Sequence, residues 1–175
     1  AMDSVLPIFD KELRRPLEIA IKKQKIKTHL GVFAKGTEAT KDGRVQLNFI
    51  DKNEKDEKKM QHVVVDKVLV TVGRKPNSAS LAPTGVALDE RGFVKVNDRC
   101  ETNMKGVYAI GDVCDSGEML AHVASFQGEM VAEIIAGKKR AYDPVAVPAI
   151  VFTEPEIVSV GLSPEEAKAA GHPVI

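Results

Sequence analysis

The sequence predicts an α/β fold, and three observations carry that expectation. Residues 107–110, Val-Tyr-Ala-Ile, form a short apolar run of the kind that fills a buried strand, and the run leads directly into Gly111 and Asp112. Residues 120–136 place apolar side chains at helical spacing, so a helix follows that strand. Residues 34–65 instead alternate β-prone segments with turn residues, the pattern of an antiparallel meander.

Composition narrows the function classes. A chain of 175 residues with 43% hydrophobic content is long enough to build real cores and is ordinary for a globular protein. Its 25 basic and 25 acidic residues cancel (25 − 25 = 0), so no whole-chain field recruits nucleic acid or an anionic membrane surface. No apolar run approaches the roughly 18 residues of a membrane span, and the first residues lack the basic-then-apolar order of a signal peptide. A cytoplasmic setting, or a mitochondrial matrix one in a eukaryote, is expected. Cys100 and Cys114 form no C-x-x-C motif and no cysteine–histidine cluster, which predicts free thiols and no metal site.

The elements follow in order. Asp10 is placed to cap a helix carrying Leu13, Leu17, Ala20 and Ile21, and Pro16 should kink that helix or move its start. Residues 25–30, KIKTHL, are expected as a strand. Residues 34–40, 44–50 and 62–65 make the meander, with Lys41, Asp42 and Gly43 as its first turn. The tract at 51–59 alternates lysines with acids, which describes a solvated hairpin tip better than a docking patch.

Val68, Leu69, Val70 and Val72 should form a central strand that ends at Gly73 and runs into a Pro76-Asn77 turn, with a domain crossing nearby. Residues 78–101 are expected as loop and hairpin, turning at Arg91 and Gly92. In the helix over 120–136, Leu120, Ala124, Gly128, Val131 and Ile135 should make the buried stripe, while Ser125, Glu129 and Glu133 lie on another face. Gly128 in that stripe implies close helix–sheet packing. A proline-marked linker at 142–148 leads to strands within 149–153 and 157–161. A last helix has Ser163 and Glu166 as a capping box, Pro164 at its first position and Gly171 at its end.

Asp112 is the main site candidate. It is either a turn aspartate capping its own backbone or an acceptor for ligand hydroxyls at a strand's carboxyl end, where open α/β sheets bind ligands. The helix starting near Met119, Leu120, Ala121 and His122 is either an ordinary amphipathic start or a set of free N–H groups for a partly anionic ring. His122 has no second ligand nearby in sequence, so packing and positioning are favoured over acid–base or metal work. Gly73 is either a turn glycine or a place where backbone approaches a ligand closely. Arg74 either pairs with phosphate or is a surface arginine.

The string Thr102, Gly106, Val107-Tyr108-Ala109-Ile110 and Gly111-Asp112, followed by Met119-Leu120-Ala121-His122, resembles the second flavin-binding motif of the pyridine nucleotide-disulfide oxidoreductases. The resemblance covers almost the whole chain. It implies a partial two-dinucleotide-binding flavoprotein fold, with three-layer nucleotide-binding segments and the start of an α+β interface domain. Residues 1–76 would be the rear of an NAD-binding domain, 77–142 the second segment of an FAD-binding domain, and 143–175 the start of a dimer-interface domain.

The same resemblance implies FAD and NAD as cofactors. Asp112 would accept from a ribityl hydroxyl of FAD, and Met119, Leu120, Ala121 and His122 would set backbone donors against the flavin's pyrimidine edge. Gly73 and Ala34 would bring backbone to NAD. Met119 to His122 points to the branch that oxidises dihydrolipoyl groups with NAD⁺ in 2-oxoacid dehydrogenase complexes, with the lipoyl group and a second, identical subunit as partners. Glutathione, mercuric and soluble transhydrogenase types share the fold and stay open. A reading from another class is a non-enzymatic assembly module that self-associates through residues 149–161 and the capped helix.

There is no G-x-G-x-x-G, no cysteine pair separated by four residues and no paired His-Glu acid–base group. The resemblance therefore implies the middle of a longer subunit. Cofactor-holding residues are present and no catalytic ones, so no turnover and weak cofactor binding are expected of these residues alone.

Overall fold

A computed structural model describes residues 1–115 and 119–174. They form two compact units, one of Ala1–Thr71 with Pro148–Ile175 and the other of Val72–Val147.

The first unit begins with α1, Lys11–Lys23. Leu17 is buried on its inner face, in a core with Phe9 and Ile157 that Leu13 and Ile21 flank. Glu12 in the first turn and Lys22 and Lys23 in the last complement the helix dipole. The helix starts at Lys11 and runs through Pro16, which removes one backbone donor without moving the start. Asp10 occupies the N-cap position, yet its side chain caps nothing. Desolvation and a hydrogen bond with Glu165 instead raise its carboxyl above the usual range.

The strand expected at residues 25–30 is absent. Lys25 adopts φ +59, its N–H bonds the Lys22 carbonyl at 3.0 Å, and the Ile26 N–H reaches the Ile21 carbonyl at 3.1 Å. These two bonds close α1 in a Schellman motif, which takes up the backbone a strand would have used.

The meander forms as expected, with β1 at Val32–Ala39, β2 at Val45–Asp51 and β3 at Gln61–Val65 in an antiparallel sheet of that order. At its first turn Gly43 has φ +83, and the Asp42 carboxylate accepts from Arg44 Nε at 2.8 Å. β2 is the central strand and buries Asn48, Phe49 and Ile50, whereas β1 is almost wholly exposed. The same unit holds the antiparallel pair β4, Ala149–Val151, and β5, Ile157–Ser159. The last helix, α3 at Pro164–Ala169, has the complete capping box between Ser163 and Glu166.

The central strand expected from Val68 to Val72 does not form a ladder: Leu69, Val70 and Val72 are 87%, 72% and 92% exposed. Its composition suits a buried strand, but a strand exists only through its hydrogen-bonded neighbours, and no described strand pairs with it.

The second unit is built around α2, Ala121–Ile135, with a 3₁₀ turn at Ala79–Thr84 and another at Gly111–Val113. The hairpin at Arg91 and Gly92 is present as the Leu88–Val94 bridge, tied by Asp89 N–H to Phe93 carbonyl at 2.8 Å. Residues 107–110 make the isolated Tyr108–Glu101 bridge and belong to neither described sheet, so the expected buried strand is corrected to a segment outside the sheets, with Val107 and Ile110 each 38% exposed.

The buried face of α2 is also displaced from the expected stripe. Val123, Gln127, Met130, Val131 and Ile134 are buried, while Ile135 is 69% exposed and Ala124 and Gly128 lie at the flank. A hydrogen bond makes burial of a polar Gln127 tolerable, which a hydrophobicity pattern does not register. Met130, Val131 and Ile134 pack with Cys100, and Tyr108 and Tyr142 close the cluster.

Candidate functional site

Asp112 lies in the middle of the Gly111–Val113 turn, and the backbone around it is held from three directions. The Gly111 N–H donates to Gln127 Oε1 at 2.7 Å. The Gly111 carbonyl accepts from Cys114 N–H at 3.1 Å and from Cys114 Sγ at 3.2 Å. A Cβ added to Gly111 would sit 3.1 Å from Ala124 Cβ, and Gly111 has φ +69, so the turn approaches α2 at a distance and in a conformation that suit glycine. The close helix–sheet packing expected at Gly128 is not what is found: a Cβ there would meet Ile110 Cδ1 at an ordinary 3.5 Å, and the tight approach to α2 is made by the turn at Gly111 instead.

The Asp112 side chain is half-exposed, and Arg74 Nη1 donates to its Oδ2 at 3.1 Å. A depression of about 400 Å³ opens here, with Arg74, Pro76 and Asn77 on one part of its wall and Asp112, Val113 and Met119 on another. The structure therefore brings together Asp112 and Met119 from the expected set, and adds Arg74 as the partner that sequence left undecided.

Leu120 is the N-cap of α2 by backbone geometry and has no side chain able to cap it. Its carbonyl accepts from Ala124 N–H at 3.1 Å, so the amides of Ala121, His122 and Val123 precede the first intrahelical bond and have no helical acceptor. Met119 and Leu120 are half-buried, whereas Ala121 and His122 are exposed. Among the described residues no cluster of three His, Cys, Asp or Glu side chains able to hold a metal ion is found.

Gly73 has φ +121, a backbone conformation that favours glycine, and apart from its chain neighbours no heavy atom of the described residues lies within 4 Å of where a Cβ would be. Its backbone is open to approach. Ala34 is an exposed β1 residue paired with Phe49 beside the bulge between Ala34 and Gly36, and it belongs to the first unit, not to the unit of Asp112.

Cys100 and Cys114 are buried, and neither forms a disulfide. Burial, with Cys114 adding to it, pushes the Cys100 thiol up to about 11. Cys100 packs in the α2 core, and the Cys114 thiol donates to the Gly111 carbonyl. Two features escaped the sequence reading, the Arg74 pairing and the buried Gln127. The second had a signal, because Val123, Gln127, Met130 and Ile134 recur at spacings of four, three and four.

Comparison with known proteins bears on this arrangement. A family model described as pyridine nucleotide-disulphide oxidoreductase matches residues 1–128. The chain is 45% identical over 174 residues to a dihydrolipoyl dehydrogenase of Pseudomonas aeruginosa, covering 98% of this chain and 35% of that protein. It is 39% identical over 176 residues to a dihydrolipoyl dehydrogenase of Bacillus subtilis, covering 99% of this chain and 36% of that protein. Among solved structures, the Cu(II) complex of the HOCl-induced flavoprotein disulfide reductase RclA from Escherichia coli superposes with a TM-score of 0.81 at 25% identity, over 97% of this chain and 38% of that one. The chain thus spans about a third of the length of the relatives it matches.

Proposed function

Since this chain belongs to the pyridine nucleotide-disulphide oxidoreductase family, we propose that it is the middle section of an FAD-dependent dihydrolipoyl dehydrogenase, which oxidises dihydrolipoyl groups of 2-oxoacid dehydrogenase complexes with NAD⁺. The observation that carries this reading is the Asp112 carboxylate, presented half-exposed on a turn that Gly111 and Gln127 fasten to α2, at a depression it shares with Met119. Such a carboxylate accepts from hydroxyls, and the first turn of α2, which Leu120 does not cap with its side chain, offers amide donors and a positive dipole end.

These features fit a flavin. The cofactor, when bound, supplies the two-electron redox chemistry. The residues of this chain hold and orient it. Asp112 takes a ribityl hydroxyl, and the amides that follow Met119 and Leu120, those of Ala121 and His122, face the ring's pyrimidine edge. The start of α2 favours negative charge there by a few tenths to about 1 kcal/mol where solvent reaches it. Gly73 and Ala34 are proposed to lie against NAD, a role suited to the open backbone at Gly73 and the exposure of Ala34.

Residues 1–76 are read as the rear of the NAD-binding domain, 77–142 as a segment of the FAD-binding domain, and 143–175 as the start of a dimer-interface domain. The exposed Val158, Val160 and Leu162 support a homodimer contact through that last part. The cytoplasm, or the matrix in a eukaryote, is the compartment this activity implies. The dihydrolipoyl branch is preferred over other disulfide reductases because the matching dihydrolipoyl dehydrogenases reach 45% identity, against 25% for the disulfide reductase structure.

NADH formation from dihydrolipoamide and NAD⁺ by the flavin-loaded protein that contains this chain tests the reading. Turnover with dihydrolipoamide exceeding that with reduced glutathione is expected. The reverse preference would place the chain in another branch of the family.

A further inference from the structure

The pair formed by Arg74 and Asp112 joins residues 38 positions apart, with the two side chains 71% and 45% exposed. Ion pairs this open to solvent add little to folding. Their geometric effect is larger. A carboxylate on a short side chain turns about two bonds, and a directional bond from a guanidinium removes much of that freedom.

The Asp112 end of the pair is constrained. Asp112 stands on the turn whose Gly111 amide is held by Gln127 and whose Gly111 carbonyl is held by Cys114. Arg74 lies two residues before Pro76, and both line the same depression as Asp112. The bond occupies Oδ2, and no described residue donates to Oδ1.

We propose that Arg74 is a positioning residue, which holds the Asp112 carboxylate in one orientation so that Oδ1 accepts from one particular hydroxyl of the flavin's ribityl chain. This rests on the flavin reading of Asp112 given above. The guanidinium also offsets part of the carboxylate's charge, so an approaching hydroxyl meets an oriented acceptor instead of a freely turning, fully solvated anion. Lysine at this position would keep the charge but lose the planar donor fork.

The test uses the apo form of the flavoprotein that contains this chain, reconstituted with FAD and with FAD analogues each lacking one ribityl hydroxyl. Wild type should lose affinity for one analogue far more than for the others, and Asp112→Asn should flatten that pattern. Arg74→Gln should weaken FAD binding about three- to tenfold and blur the discrimination, and Arg74→Lys should restore part of the affinity. In the Asp112→Asn background Arg74→Gln should have little further effect. If Asp112→Asn leaves the hydroxyl pattern of wild type unchanged, the flavin reading of Asp112 fails, and this inference with it. If Asp112→Asn flattens the pattern while Arg74→Gln leaves it intact, or if the two losses add in full, the positioning role alone is overturned.

Discussion

Gln127 and Gly111 are joined by a 2.7 Å hydrogen bond in which a helix side chain accepts the N–H of the turn that carries Asp112. Gln127 is 1% exposed, so the bond is made inside the core and not at its edge. Low dielectric strengthens such a bond and equally raises the cost of leaving either partner alone. The turn's position relative to α2 is therefore held by this bond together with the close Gly111–Ala124 approach.

Gln127→Leu should destabilise the protein by about 1–3 kcal/mol, because an apolar side chain of similar size fills the space but leaves the Gly111 amide without its acceptor. Urea unfolding of the two proteins measures this. A change within about 0.5 kcal/mol would show that the amide finds another acceptor.

Gly111→Ala should cost more than an ordinary surface change. It places a Cβ 3.1 Å from Ala124 Cβ and forces alanine into φ +69, a conformation costing roughly 1–2 kcal/mol for an L-residue. In an Ala124→Gly background the crowding disappears and only the backbone strain remains, so the increment measured by thermal melting should shrink without vanishing. An equal increment in both backgrounds would mean that the contact with α2 is not tight.

Much of this was readable from sequence where the signals are local. The meander turn at Asp42 and Gly43 and the Ser163–Glu166 capping box are set by residues a few positions apart, and both are present. The runs at 68–72 and 107–110 were readable as buried-strand composition but not as strands, because pairing is a property of distant neighbours. Lys25 in a left-handed conformation ended α1 where a strand was expected, since the Schellman closure competes for the same backbone. The Arg74–Asp112 bond spans 38 residues and leaves no periodic trace. Gln127 carried a signal only in its helical spacing, since a hydrophobicity pattern does not register a polar side chain whose burial a hydrogen bond makes tolerable.

Cys100 gives the protein an alkaline limit. Its thiol is held up to about 11, above the ordinary value of 9.0, by burial and by Cys114. The unfolded chain therefore loses that proton first. Stability from this group is whole below pH 9 and falls between pH 9 and 11, by up to about 1.4 kcal/mol per pH unit. Cys100→Ala should flatten that stretch of the stability–pH curve. An unaltered slope in the variant would assign the alkaline loss to other groups.

His122 is exposed at the first turn of α2, so its imidazole is not needed to build the turn. His122→Ala should shift the reduction potential of bound flavin while changing FAD affinity less than threefold, an estimate of roughly 0.6 kcal/mol or below. Potentiometric titration and a binding isotherm together read both quantities. Loss of bound flavin with an unchanged potential would contradict this assignment.

The most direct measurement is the flavin content of Asp112→Ala in the protein that contains this chain, read from the flavin absorbance retained after dialysis. Removal of a charged acceptor for a buried hydroxyl should weaken FAD binding by about ten- to a hundredfold, equivalent to roughly 1.5–3 kcal/mol, with the fold intact by circular dichroism. Retention equal to wild type would contradict the placement of the flavin at Asp112.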